Sequence, residues 1–234
     1  MITIRSIVKN TRYLIGRSFG NNRFLFDYIS FIFRRYRIHK VTSKTDICIE
    51  GFPRSANSFL TATFGKYNPQ AKCADHLHAP MQVIRASELN IPCIVVIRNP
   101  LDAIASTIVV DRSVSTSVVI RSYIDFYKSI WHIRNDFVVA EFNKIIDNPA
   151  EVINAVNKRF GTNFEMGEMS SNLEKEIFLH LKKVKQKMKL SDTLVAIPTE
   201  AKEKIKQEII FELEQNCLIE KTEPIYQKFV SIAA

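Results

Sequence analysis

The sequence predicts an α/β fold, a central parallel sheet flanked by helices. Three observations carry that expectation. Apolar runs such as Ile47-Cys48-Ile49, Cys93-Ile94-Val95-Val96-Ile97 and Phe137-Val138-Val139-Ala140 read as buried strands. Helical patterns lie between them, and strands joined through helices pair in parallel by right-handed crossovers. The two most polar clusters, residues 51–58 and 98–106, each follow directly on such a run. Both therefore belong at the carboxyl edge of the sheet, where folds of this class bind ligands.

The elements follow in order. Residues 45–51 (TDICIEG) read as a strand and 57–66 as a helix. A short strand is expected over 71–75 and a short helix over 82–89, ending near Asn90. The run 92–97 is a strand buried on both faces. Pro100, suited to a first helical position, opens a helix through Ile104 and Ile108. Residues 115–134 pattern as a long helix and 137–142 as a further strand. Asp147-Asn148-Pro149 caps a helix that Gly161 stops after Phe160. Two charged helices, 172–189 and 199–216, complete the tail.

The chain has 234 residues, 46% hydrophobic and 24% charged, which suits one globular domain with or without an extension. Gly and Pro are scarce, and no internal repeat is found. None of the four cysteines forms a C-x-x-C pair. Cys48 and Cys93 fall in buried runs, so reduced core thiols in a reducing compartment are expected rather than disulfides or a metal site.

The net charge of +9 is concentrated. Residues 1–45 hold ten basic groups and one acid, Asp27, while the remainder is balanced at 23 of each sign. The organisation expected is a basic helical extension over 1–44 and an α/β domain over 45–234. The best apolar stretch of the extension, Phe24 to Phe33, is too short to span a bilayer and is interrupted by Asp27. No cleavage-site pattern follows it, so the chain reads as cytoplasmic. Its aromatics flanked by arginines suit an interfacial helix on anionic lipid. The reading favoured over that one packs the Phe stripe on the domain and leaves the basic face solvated.

The stretch GFPRSANSF, residues 51–59, joins a strand to a helix through a Gly-containing turn. Main-chain N–H groups at such a turn and the helix dipole converge on an anion. The Walker pattern G-x-x-x-x-G-K-S/T is not met, because Ala56 and Asn57 replace its second Gly and its Lys. Arg54 instead supplies a planar cationic fork, and Asn57 and Ser58 are short donors in the first turn. In IRNPLDAIAS, Arg98 ends a strand and Ser106 lies on the first turns of the next helix, so both can meet a second anion. An Arg98–Asp102 surface pair is the plainer account of that cluster alone. Two anion sites on neighbouring strand ends suit a nucleotide with phosphates at both ends.

At these residues the chain resembles the sulfotransferase superfamily that uses 3′-phosphoadenosine 5′-phosphosulfate. GFPRSANSF is similar to that family's 5′-phosphosulfate loop, with Ala56 where a Gly is usual. RNPLDAIAS meets every fixed position of its 3′-phosphate motif. The segment from Val138 to Gly161, with Glu141, resembles the strand, loop and helix that follow the nucleotide site. The likeness runs from about Thr45 to Phe164 and implies a three-layer P-loop-like fold. By it, Arg54, Ser55, Ala56, Asn57 and Ser58 hold the 5′-phosphosulfate and Arg98 and Ser106 hold the 3′-phosphate. Arg54 stabilises the bridging oxygen as the S–O bond breaks. The family more often has Lys there, and Arg does not readily give up a proton. A sulfuryl donor needs no metal, so none is expected.

An acceptor hydroxyl needs a base, and DHLHAP offers His76 and His78. His78-Ala79-Pro80 matches the family's H-x-P context and is placed slightly ahead. His76 is also suited by position, and Asp75 can orient one of the two. His39 and His180 read as solvated, Trp131 as a packing residue. The family's late R-K-G loop over the 3′-phosphate is absent, and Lys182, Lys183 or Lys185 are the substitutes considered. The expected reaction is sulfo transfer to a hydroxyl of a small-molecule, carbohydrate or lipid-linked acceptor. No nucleic-acid partner is expected, because nothing in the basic tail reads bases. The alternatives are a P-loop small-molecule kinase, which the missing Walker Lys argues against, and a non-catalytic nucleotide-binding protein.

Overall fold

A computed structural model describes residues 21–187 and 200–234. The basic residues Arg5, Lys9, Arg12 and Arg17 lie outside that range, as do the side chains of Arg35 and Lys185. The fold is α/β: a four-stranded, wholly parallel sheet with helices on both faces. The strands are β1 (Ile47–Gly51), β2 (Cys73–Asp75), β3 (Cys93–Ile97) and β4 (Val138–Glu141), in the order β2-β1-β3-β4. Before them come α1 (Arg23–Ile32) and α2 (Arg34–His39). The crossovers carry α3 (Asn57–Tyr67), α4 (Pro80–Glu88), α5 (Pro100–Val110) and α6 (Thr116–Ile130). After β4 come α7 (Phe142–Asp147), α8 (Pro149–Phe160), α9 (Ser171–Lys187), α10 (Glu200–Glu214) and α11 (Glu223–Val230).

Alternation along the strands divides the core in two. Ile47, Ile49, Ile94, Val96, Val138 and Ala140 face α3, α8 and α9. Cys48, Cys93, Val95, Ile97 and Val139 face α4, α5, α6, α10 and α11. Strands covered on both sides must be apolar at every position, which is why β3 reads as an unbroken run. Cys48 and Cys93 are register partners, buried as free thiols.

This arrangement creates the switch point of the sheet. The chain leaves β1 toward α3 on one face and leaves β3 toward α5 and α6 on the other. Because β1 and β3 are neighbours, the crevice between their carboxyl ends is open, and ligands bind at such crevices.

Some elements differ from the expectation. The long helix ends at Ile130, and a 3-10 segment carries the chain to Asp136, with Ile133 out of helical conformation. The strand ends at Glu141, and Phe142 opens the short helix α7, which six residues of mixed pattern did not reveal. The terminal helix α11 was also not foreseen. Its Phe229 packs among Tyr127, Trp131 and Phe137, and Ala234 N–H bonds the Val139 carbonyl at 3.0 Å along the outer edge of β4.

The two leading helices pack on the α/β body through part of their surface. Phe26 is fully buried against Ala79 and Met81. Asp27 meets Lys40 and Arg85, each at 2.5 Å, and the Val41 N–H bonds Gln82 Oε1 at 2.8 Å. Among the described residues, no helix is long and apolar enough to cross a membrane.

Candidate active site

The loop leaving β1 is shaped by two left-handed residues, Arg54 at φ 67° and Ala56 at φ 70°, with Ser55 between them. Such alternation turns successive N–H groups toward one concavity, which favours anions. Ala56 is also the N-cap of α3, and no side chain caps that helix. The first-turn N–H groups therefore face the loop. Asn57 is buried and ties the loop by donating to the Phe52 carbonyl at 3.0 Å. At the strand end, a Cβ on Gly51 would lie 2.4 Å from the Val96 carbonyl oxygen, so β1 and β3 approach too closely there for any other residue.

Arg98 follows β3 directly and turns into the same space. Its Nη1 donates to the Arg54 carbonyl at 3.0 Å. Its guanidinium lies 3.9 Å from the centroid of the Phe142 ring, and Asp102 is 3.9 Å away. Nε of Arg54 and Nε of Arg98 are both buried without a hydrogen-bond partner. Burial, and then the charge of Arg98, pull the Arg54 pKa below its ordinary value. Burial lowers that of Arg98 too, against Asp102 and Glu203. Two converging, underpartnered cations destabilise each other, and an anion between them reverses the sign of that interaction.

Two tyrosines of α6 brace the pair of loops. Tyr127 donates to the Val96 carbonyl at 2.8 Å and accepts from the Phe52 N–H at 3.4 Å. Tyr123 donates to the Arg98 carbonyl at 2.9 Å. Burial raises both phenol pKa values, so these groups remain donors.

Beyond Arg98 a cleft of about 210 Å³ opens, lined by Asp102, Glu141, Phe142, Lys206 and Tyr226 among others. Asn99 caps α5 through the Asp102 N–H, and Ser106 is partly buried one turn beyond Asp102 on the same helix. Lys206, from α10, pairs with Asp102 and Glu203. Sequence reasoning missed Lys206 and turned to Lys182 and Lys183. Those two are exposed on α9, on the opposite face of the sheet. Residue 206 is 108 positions from Arg98 in sequence. Only the packing of α10 on α5 brings it there.

The histidine loop closes the other side. His76 Nδ1 lies 2.7 Å from Asp75 Oδ2, and its Nε2 lies 2.8 Å from Ser58 Oγ. His78 Nδ1 lies 2.8 Å from the Gly51 carbonyl oxygen. A carbonyl only accepts, so His78 carries a proton on Nδ1. Both histidines are left-handed, at φ 58° and 50°. With Arg54 and Ala56 they are four of the five such non-Gly residues among the described residues. Backbone conformations of this cost collect at functional sites.

Two acids hold this loop. Glu50, fully buried, accepts from the Leu77 N–H at 2.8 Å and the His78 N–H at 3.0 Å. Burial pushes its carboxyl up to about 8, against those hydrogen bonds. Asp75 lies between two histidines, since His39 Nδ1 is 2.6 Å from its other oxygen. Burial would raise the Asp75 pKa, yet the bonds to His39 and His76 hold it well below the carboxylate range. His39, expected to be solvated, is thus part of the network. Its neighbours Arg37 and Lys40 gave a misleading local picture, because Asp75 reaches it only through the docking of α2 on β2.

The structure therefore brings Arg54, Ser55, Ala56, Asn57, Ser58, His76, His78 and Arg98 to one crevice, with Ser106 along the helix that borders it. The residues present offer anion-binding groups at two places along this crevice: main-chain amides and Arg54 at one, Arg98 and Lys206 at the other. No protein-family model matches the chain, and no curated protein does. Among solved structures the chain is similar to a mouse sulfotransferase complexed with PAP, at 10% identity over 82% of this chain and 89% of that one, with a TM-score of 0.41.

Proposed function

We propose that the protein transfers a sulfo group from 3′-phosphoadenosine 5′-phosphosulfate to an acceptor hydroxyl. The observation that carries this reading is the meeting of Arg98 with the Arg54 carbonyl at the switch point of the sheet. Two sequence stretches that resemble the two ends of one nucleotide site share one crevice.

In this reading the amides of residues 54–58 and Asn57 and Ser58 bind the 5′-phosphosulfate. Arg98, Ser106 and Lys206 bind the 3′-phosphate. Arg54 stabilises the negative charge that grows on the bridging oxygen, where a preorganised cation contributes most. His76 is the base. Asp75 fixes its Nδ1, and its Nε2 is already at the loop hydroxyl of Ser58, beside the place a sulfo group would occupy. His76 accepts the acceptor's proton as the new S–O bond forms and the S–O bond to the phosphate breaks. Adenosine 3′,5′-bisphosphate and the sulfated acceptor leave. His78, anchored on Gly51 and Glu50, keeps the loop in place and borders the acceptor. The acceptor class we propose is a hydroxyl of a carbohydrate or of a lipid-linked sugar.

Calorimetry with adenosine 3′,5′-bisphosphate, beside ATP with Mg²⁺, tests the nucleotide. Tighter binding of the bisphosphate is expected, and preference for ATP overturns the reading in favour of a kinase. Transfer of labelled sulfo groups onto cell extracts tests the reaction. His76→Gln is expected to lower transfer by about 10²-fold or more with bisphosphate affinity kept. Bisphosphate binding without transfer to any acceptor would leave a non-catalytic binder. A greater loss from His78→Gln than from His76→Gln would exchange their roles.

A further inference from the structure

The helix α1 is apolar on two opposite sides. At about 100° per residue, Phe26, Ile29 and Ser30 share the side packed on the α/β body. Phe24, Leu25, Tyr28, Phe31 and Ile32 fall within an arc of about 120° on the other side. All five are exposed, Phe24 by 85% and Phe31 by 78%. A helix on a globular surface has one apolar stripe and a polar face opposite it. Single exposed apolar residues are ordinary, but a contiguous aromatic face marks a contact.

Charge identifies what makes that contact. Residues 1–45 carry ten basic groups and one acid, whereas the rest of the chain is balanced. Arg34 and Arg37 are exposed on α2, which follows α1 directly in the chain, and Ile38 of α2 is exposed as well. Two copies of the chain meeting through this face would bring two strongly positive segments together, which electrostatics opposes. An anionic bilayer offers what the face lacks, hydrocarbon for the rings and phosphates for the arginines. Among the described residues no helix is long and apolar enough to cross such a bilayer, and the apolar face of α1 suits an interfacial contact.

We propose that α1 and α2 dock the protein on an anionic membrane surface, with the Phe24–Tyr28–Phe31 face among the headgroups and Arg34 and Arg37 on lipid phosphates. The face is tied to the crevice, because α2 ends in His39, which holds Asp75. The docking does not depend on the sulfo-transfer reading and is tested apart from it.

The test is co-sedimentation of the full chain with vesicles. One set is phosphatidylcholine alone, and the other contains about a third phosphatidylglycerol. Binding to the anionic set, weakened by salt, is expected. Phe24→Ser with Phe31→Ser should lower the partition coefficient about tenfold or more. Arg34→Ser with Arg37→Ser should lower it about tenfold on anionic vesicles and leave any neutral-vesicle binding unchanged. All four side chains are exposed, so the thermal transition and bisphosphate binding should stay those of the parent. Absence of binding to anionic vesicles at low salt overturns the proposal. So does a phenylalanine variant that binds as the parent does. A dimer in light scattering that the phenylalanine changes abolish assigns the face to self-association instead.

Discussion

Arg98 Nη1 donates to the carbonyl oxygen of Arg54 at 3.0 Å, across 44 residues of chain. One arginine thus positions the loop that carries the other. The same guanidinium stacks on Phe142 and faces Asp102, so it can hold its place while presenting its remaining donors to the crevice.

The first prediction separates the two arginines. Arg98→Ala should weaken adenosine 3′,5′-bisphosphate binding about 100-fold, because a charge-assisted fork and the brace on the Arg54 loop go together. Arg54→Ala should weaken that affinity less, about tenfold, because the loop amides share its anionic end, and should cut sulfo transfer about 10² to 10³-fold beyond that, since its larger role lies in the transition state. Calorimetry and single-turnover transfer measure the two effects. Equal losses of bisphosphate affinity from both changes would contradict the division of labour.

Gly51 and Ala56 should respond in opposite directions. Ala56 holds a left-handed conformation that costs a residue with a Cβ about 1 kcal/mol. Ala56→Gly should therefore stabilise the fold by up to about 1 kcal/mol in urea denaturation. At Gly51 a new Cβ would sit 2.4 Å from the Val96 carbonyl, and neighbouring strands cannot separate without losing their ladder. Gly51→Ala should destabilise by about 3 kcal/mol.

The stability profile with pH should carry opposite signs from two acids. Glu50 has its folded pKa raised from 4.5 to about 8. Between those values the folded state keeps a proton that the unfolded chain has released, so stability falls as pH rises through this window and levels off above it. Glu50→Gln should flatten that slope, by an amount on the order of a few kcal/mol. Asp75 has its folded pKa held below the ordinary 3.8. Its contribution is present above that value and is lost as pH falls through the lower folded pKa. Asp75→Asn should remove the acid-side loss. Urea unfolding at closely spaced pH values reads both.

Lys206 gives a fourth outcome. It lines the cleft beside Arg98 and pairs with Asp102 and Glu203. Lys206→Ala should weaken bisphosphate binding about fivefold to tenfold and change stability by less than about 1 kcal/mol, the range of partly exposed ion pairs. If the affinity is untouched while Arg98→Ala abolishes it, the 3′-phosphate sits on Arg98 without help from α10.

The strands and crossovers were legible because they are local. A run such as 93–97, apolar at every position, has few structures open to it other than a strand buried on both faces. The two polar clusters were legible for the same reason, since each is a loop directly after such a run. By itself the chain therefore determined the α/β class and the arginines and histidines that converge at the carboxyl edge of the sheet.

Other features were decided only by packing between distant segments. His39 pairs with Asp75 because α2 docks on β2, and Lys206 reaches Asp102 because α10 lies along α5. Glu50 was a strand residue without a role until its carboxyl met the N–H groups of Leu77 and His78. The side of α1 that is buried could not be read from a helix apolar on both sides. Hydrophobic periodicity records which residues avoid water near one another along the chain. It holds no record of which distant surface removes them from it, and the tertiary structure makes that choice.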